Sequence, residues 1–226
     1  MTSRRETRHW RVPVGAEETS ALYQPATKNS RAVFVCAHGA GGHIADRGME
    51  RVAEVLRVQG LDIVRFNFLY RECGSRRPDP TPRLKQCFEA VVAHARAELA
   101  IKRLIIGGRS MGGRVASMMA AEGFACDGLL LLAYPLHPMG KPEQLRAAHL
   151  RKIEVPVLCC NGTRDVLCTR ELMDQALQTV RTRWEMHWLD EADHSFRVLK
   201  SSGRTESAIY AEAGEVSGRW LTERVG

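Results

Sequence analysis

The sequence predicts an α/β architecture, a mostly parallel sheet with helices packed on both faces. Two observations carry this. Short, continuous apolar runs such as Ala32-Val33-Phe34-Val35-Cys36-Ala37 and Gly128-Leu129-Leu130-Leu131-Leu132-Ala133-Tyr134 read as strands buried on both sides. Between such runs lie segments whose apolar residues recur at helical spacing, for instance Met49, Val52, Ala53 and Leu56. The alternation supplies a crossover helix for each parallel strand.

The 226 residues suit one domain spanning 1–226, and 44% apolar with 26% charged residues is ordinary for a soluble globular chain. No apolar run is long enough to span a bilayer. The charged start, Met1-Thr2-Ser3-Arg4-Arg5-Glu6, leads into no apolar signal segment, so a cytoplasmic location and no membrane partner are expected. There are seven cysteines, an odd number, and Cys36, Cys159 and Cys160 sit in apolar runs as small buried hydrophobes. Cys-x-x-Cys spacing is absent, and neither a metal nor a cofactor is expected. The net charge of +7 comes from 33 Lys and Arg against 26 Asp and Glu. The basic residues are scattered with few aromatics among them. This favours a solvated basic surface over a nucleic-acid partner.

Taken in order, residues 10–14 and 20–23 read as two short strands, so that 1–30 forms an antiparallel edge to the sheet. A strand over 32–37 runs into the glycine-dense loop 38–42, and a helix follows over 46–59. Next come a strand over 61–68, an arginine- and proline-rich loop over 69–82, and a helix over 83–100. A strand over 102–106 feeds Gly107-Gly108-Arg109-Ser110-Met111-Gly112-Gly113, and a helix rich in small residues covers 114–121. Downstream are strands over 128–134, 156–161 and 183–188, the last alternating as an edge strand does, and helices over 143–149, 169–180 and 207–224. Thr169 is placed to cap the second of these helices. Only one short helix fits between the strands 129–134 and 156–161. That leaves no room for a large lid, so any site is open and shallow.

Residues 108–112 spell Gly-x-Ser-x-Gly between a strand and a helix, the context of a nucleophile elbow. Such a turn holds its serine at strained, positive φ, and glycines two positions away avoid a Cβ clash. A serine hydroxyl needs a base, and the base needs a third group to orient it. Asp165 lies just beyond the strand ending at Asn161, and His194 lies in a loop after the strand ending at Trp188. Both fall on the sheet edge that carries Ser110. Asp190 and Asp193 are rivals for the acid, but Asp193 is too close in sequence to His194 to present its carboxylate easily. An oxyanion needs preorganised donors. The N–H of Met111 is one candidate, and Ala40 or Gly41 in the 38–42 loop supplies the other. His38, Arg109 and Tyr134 are the candidate substrate contacts. Arg109 and the arginines of 71–77 would favour an anionic substrate if they border the site, and are surface or salt-bridging residues otherwise.

Taken together, several motifs resemble the α/β-hydrolase superfamily. They are His38-Gly39-Ala40-Gly41-Gly42, Phe66-Asn67-Phe68, Gly108-Arg109-Ser110-Met111-Gly112-Gly113-Arg114, Tyr134-Pro135-Leu136-His137-Pro138, Gly162-Thr163-Arg164-Asp165 and Ala192-Asp193-His194-Ser195-Phe196. More specifically, the set is similar to the KANL3/Tex30-type, dienelactone-hydrolase-like group, from about residue 30 to the C-terminus. The resemblance implies a three-layer α/β-hydrolase core with a minimal cap and Ser110, Asp165 and His194 as the triad. Dienelactone hydrolases use a cysteine nucleophile, and this chain has serine, so their reaction does not carry over. The expected function is a serine hydrolase acting on a small-molecule ester or thioester. A non-catalytic interaction module and a small peptidase are the rival readings.

Overall fold

A computed structural model describes residues 6–225. Residues 1–5 and 226 lie outside the described residues, and with them the charged start of the chain. Eight strands form one sheet: β1 (Arg8–Val14), β2 (Glu17–Gln24), β3 (Ala32–Ala37), β4 (Leu61–Phe66), β5 (Leu104–Arg109), β6 (Gly128–Leu132), β7 (Val157–Gly162) and β8 (Trp184–Leu189). Their spatial order is β1-β2-β4-β3-β5-β6-β7-β8. The β1–β2 and β2–β4 pairings are antiparallel, so the N-terminal hairpin is the expected edge. Every pairing from β4 across to β8 is parallel.

The continuous apolar runs are explained by burial on both faces. Val33, Val35, Ile106 and Leu131 face one core, closed by the helices α3 (Thr81–Glu98), α4 (Met111–Ala121) and α5 (Arg170–Leu177). Phe34, Cys36, Ile105 and Leu132 face the other, closed by α1 (Arg47–Val58) and α6 (Glu206–Arg224). Side chains alternate along each strand, so a helical layer on each side buries both faces of central strands such as β3 and β6. The Thr169 hydroxyl accepts a hydrogen bond from the Leu172 N–H, which caps α5 as expected. Thr205 caps α6 in the same way through the Ala208 N–H.

Two segments differ from expectation. The loop after β4 contains a one-turn helix, α2 (Leu69–Glu72), whose Tyr70 N–H is held by the Asp79 carboxylate at 3.0 Å. Residues 143–149 form turns rather than a helix, and a 3-10 turn appears only at Leu150–Lys152. The Arg146 N–H donates to the Leu136 carbonyl at 2.7 Å, a tertiary bond that replaces the one a helix would make. So short a helix has little of its own to set against that competition. No lid is inserted between β6 and β7. No helix among the described residues is long and apolar enough to cross a membrane.

Candidate active site

Ser110 caps the N-terminus of α4 with φ 48° and ψ −116°, the strained geometry expected at a nucleophile elbow. Its amide donates to the Leu132 carbonyl of the neighbouring strand at 2.9 Å, which helps hold that strain. The glycine requirement comes from a third body. A Cβ on Gly108 would lie 2.1 Å from the Ala37 carbonyl oxygen, and one on Gly112 2.4 Å from the same atom. The end of β3 thus passes under the elbow. Contact between the elbow's own strand and helix is made at Gly113, where a Cβ would lie 2.8 Å from the Gly108 carbonyl oxygen.

His194 sits in a tight loop after β8. The Asp193 carboxylate accepts the N–H groups of Ser195 at 2.7 Å and Arg197 at 2.9 Å. Asp193 therefore builds the loop that carries the histidine and does not face its ring. Asp190 is exposed and meets the Thr163 hydroxyl at 3.4 Å. Asp165 hangs from the end of β7, and its loop is joined to the histidine loop by the Arg164 N–H, which donates to the Ala192 carbonyl at 2.9 Å.

These placements bring the three side chains together. His194 Nε2 lies 2.9 Å from Ser110 Oγ, and His194 Nδ1 lies 2.8 Å from Asp165 Oδ2. The Asp165 side chain is fully buried, while that of His194 keeps 25% exposure. A groove of about 390 Å³ opens beside Ser110, lined by Gly39, Ala40, Asp46, Arg109, His194 and Ser195 among others. A hydrogen on Nδ1, which faces the Asp165 carboxylate, leaves Nε2 facing the Ser110 hydroxyl as an acceptor.

The two candidates for the loop donor separate here. The Gly41 N–H donates to the Tyr70 hydroxyl at 3.2 Å. Among the described residues the N–H groups of Ala40 and Met111 have no acceptor. Ala40 is exposed at the mouth of the groove, and Met111 begins α4, where the helix dipole adds to its pull on an anion. Tyr70, which holds this loop, was not singled out in the sequence. Nothing in the spacing of 69–82 marks it.

Of the expected substrate contacts, only Arg109 lines the groove. Its Nη1 donates to the Tyr210 hydroxyl at 3.1 Å and its Nη2 to the His194 carbonyl at 3.4 Å, with the guanidinium stacked over Phe196. His38 is fully buried and braces two loops. Its Nε2 accepts the Phe68 N–H at 3.1 Å, which leaves Nδ1–H to donate to the Gly39 carbonyl at 2.7 Å. Burial pushes its pKa down from 6.5 to about 4, against the pull of the Gly39 bond. The Tyr134 side chain is also fully buried, with its hydroxyl 3.4 Å from both Ser117 Oγ and His149 Nε2. Both residues are therefore structural. Each ring points into the core, not into the groove. Arg76 and Arg77 are exposed, and the Arg76 carbonyl packs against Gly41. Among the described residues no group of three or more His, Cys, Asp or Glu side chains could hold a metal ion.

The parallel sheet, the elbow after β5 and the loops at the ends of β7 and β8 define the α/β-hydrolase fold. Solved structures share it across nearly the whole chain. An alpha-beta serine hydrolase homologue from Coxiella burnetii superposes with TM-score 0.75 at 19% identity, covering 98% of this chain and 99% of that one. A dienelactone hydrolase from Anabaena variabilis gives 0.75 at 18% identity, covering 97% and 98%. A serine hydrolase without lid from Xanthomonas campestris gives 0.72 at 18%, covering 96% of each chain. Residues 30–222 match the alpha/beta hydrolase domain family, and the chain belongs to it.

Proposed function

We propose that this protein is a serine hydrolase that cleaves small esters or thioesters through an acyl-enzyme. The observation that carries the reading is the continuous relay from Ser110 Oγ through the His194 imidazole to the buried Asp165 carboxylate, at 2.9 and 2.8 Å. Ser110 Oγ attacks the carbonyl carbon while Nε2 takes its proton. Asp165 stabilises the imidazolium that forms. The Met111 and Ala40 N–H groups receive the developing oxyanion. His194 then protonates the departing alcohol or thiol, and a water activated by the same nitrogen releases the acid and regenerates Ser110. The open groove admits such substrates from solvent without a gating segment. Within the family, we read the motif set as of the KANL3/Tex30 type, which leaves the physiological ester unassigned.

Hydrolysis of p-nitrophenyl acetate tests the reading. The wild-type protein is expected to turn it over, and Ser110→Ala and His194→Ala are expected to lower kcat by at least about a thousandfold. Folded wild-type protein with no turnover of short esters or thioesters contradicts it.

A further inference from the structure

Asn161 is the one polar side chain at the end of the apolar run Val157-Leu158-Cys159-Cys160, and it is fully buried. A buried amide is costly unless its donors and acceptors are met. Here they all are. Oδ1 accepts the Tyr134 N–H at 2.9 Å and the Cys159 thiol at 3.3 Å. Nδ2 donates to the Tyr134 carbonyl at 3.1 Å and to Asp165 Oδ2 at 3.1 Å. This set fixes the amide's orientation. Flipped, its oxygen would face the Tyr134 carbonyl and a carboxylate, and its NH₂ would face the Tyr134 N–H.

We propose that Asn161 is a positioning residue for the relay, locking the rotation of the Asp165 carboxylate so that Oδ2 meets His194 Nδ1. This rests on the serine-hydrolase reading above. The carboxylate receives three donors: the Leu167 N–H on Oδ1 at 2.9 Å, and Asn161 and His194 on Oδ2. Leu167 alone fixes one oxygen and leaves the plane of the group free to turn about it. Asn161 supplies the second point. It is itself held by both backbone groups of Tyr134, the residue after Ala133, whose φ of 53° turns the chain at the end of β6. The end of β6 thereby registers the acid against the end of β7. Asn161 touches neither Ser110 nor the groove, so its effect on the reaction runs through Asp165.

A double-mutant cycle tests this. The second-order rate of Ser110 phosphonylation by a fluorophosphonate, and the kcat and KM for p-nitrophenyl acetate, are measured in wild type, Asn161→Ala, Asp165→Ala and the double variant. Asn161→Ala is expected to lower kcat by about ten- to a hundredfold with KM within about threefold. In the Asp165→Ala background the same change is expected to alter the labelling rate by less than about twofold. Equal losses in both backgrounds would assign Asn161 to the scaffold alone and overturn the proposal, as would wild-type kcat in a folded Asn161→Ala. Should that variant not fold, Asn161→Asp keeps the size and the acceptor for Tyr134 but sets a second carboxyl against Asp165. The imidazole proton resonance of His194 is then expected to shift from its wild-type position, and an unchanged resonance overturns the proposal. An inactive, unlabelled wild type sinks the serine-hydrolase reading, and this inference with it. An active wild type with an additive cycle sinks this inference alone.

Discussion

Gly162 and Ala192 meet where no side chain fits. A Cβ on Gly162 would lie 2.0 Å from the Ala192 carbonyl oxygen and 2.9 Å from that of Asp193. This contact sets the distance between the loop that carries Asp165 and the loop that carries His194. Gly162 is the last residue of β7 and Ala192 lies past the end of β8, so the contact fixes how the two strands leave the sheet.

Gly162→Ala is therefore expected to push the histidine loop outward while leaving the sheet intact. A misplacement of about 1 Å costs on the order of a hundredfold in rate. Ester turnover is expected to fall by that factor, with far-ultraviolet circular dichroism unchanged. Retention of more than about a third of the wild-type kcat would show that the two loops are not registered by this contact.

The parallel sheet was legible because strands such as 32–37 and 128–132 are apolar throughout, which only burial on both faces explains. Ser110, Asp165 and His194 were legible because each follows a recognisable strand, and strand ends share one edge. His38 and Tyr134 were misread because a motif places a backbone without saying which way its side chain points. The 143–149 segment was misread because its fate rests on a tertiary bond between Arg146 and Leu136. Gly162 and Asn161 gave only a weak signal: a glycine, and a lone amide closing an apolar run.

The buried His38 predicts a pH dependence of stability. In the folded protein its pKa is pushed down to about 4, against an ordinary value of 6.5 for an exposed histidine. Between these values the unfolded chain holds a proton that the folded one refuses. Stability therefore falls as pH drops from about 6.5 towards about 4, and this group adds no further loss below that. At about 1.4 kcal/mol per pH unit the effect is about 3 kcal/mol. His38→Asn is expected to start less stable near neutral pH. It is also expected to lose about 3 kcal/mol less than wild type in denaturant titrations compared at about pH 7 and about pH 4. Equal losses in the two proteins would show that His38 does not carry the effect.

The oxyanion assignment predicts the behaviour of Ala40→Pro. That substitution deletes one N–H and leaves Ser110, His194 and Asp165 unaltered. Removing one such donor costs about a hundred- to a thousandfold in kcat with KM little changed. A loss smaller than about threefold in a folded variant would place the second donor elsewhere, Gly41 being the next candidate once its bond to Tyr70 opens.

The groove predicts a size preference. It holds about 390 Å³ and is open to solvent, and among the described residues the segment between β6 and β7 forms only turns and one 3-10 turn. Long acyl chains gain little there, because their methylene groups stay in water rather than being buried. Across p-nitrophenyl esters of increasing acyl length, kcat/KM is expected to peak at the short end. A maximum at long chains would mean that a deeper acyl site exists.

The most direct test of the relay is the site and rate of covalent labelling by a fluorophosphonate, read by peptide mass spectrometry on folded protein. The relay predicts one adduct on Ser110, none in Ser110→Ala, and labelling slowed by at least about a hundredfold in His194→Ala. A folded wild-type protein that takes no adduct on Ser110, or that labels as fast without His194, would contradict it.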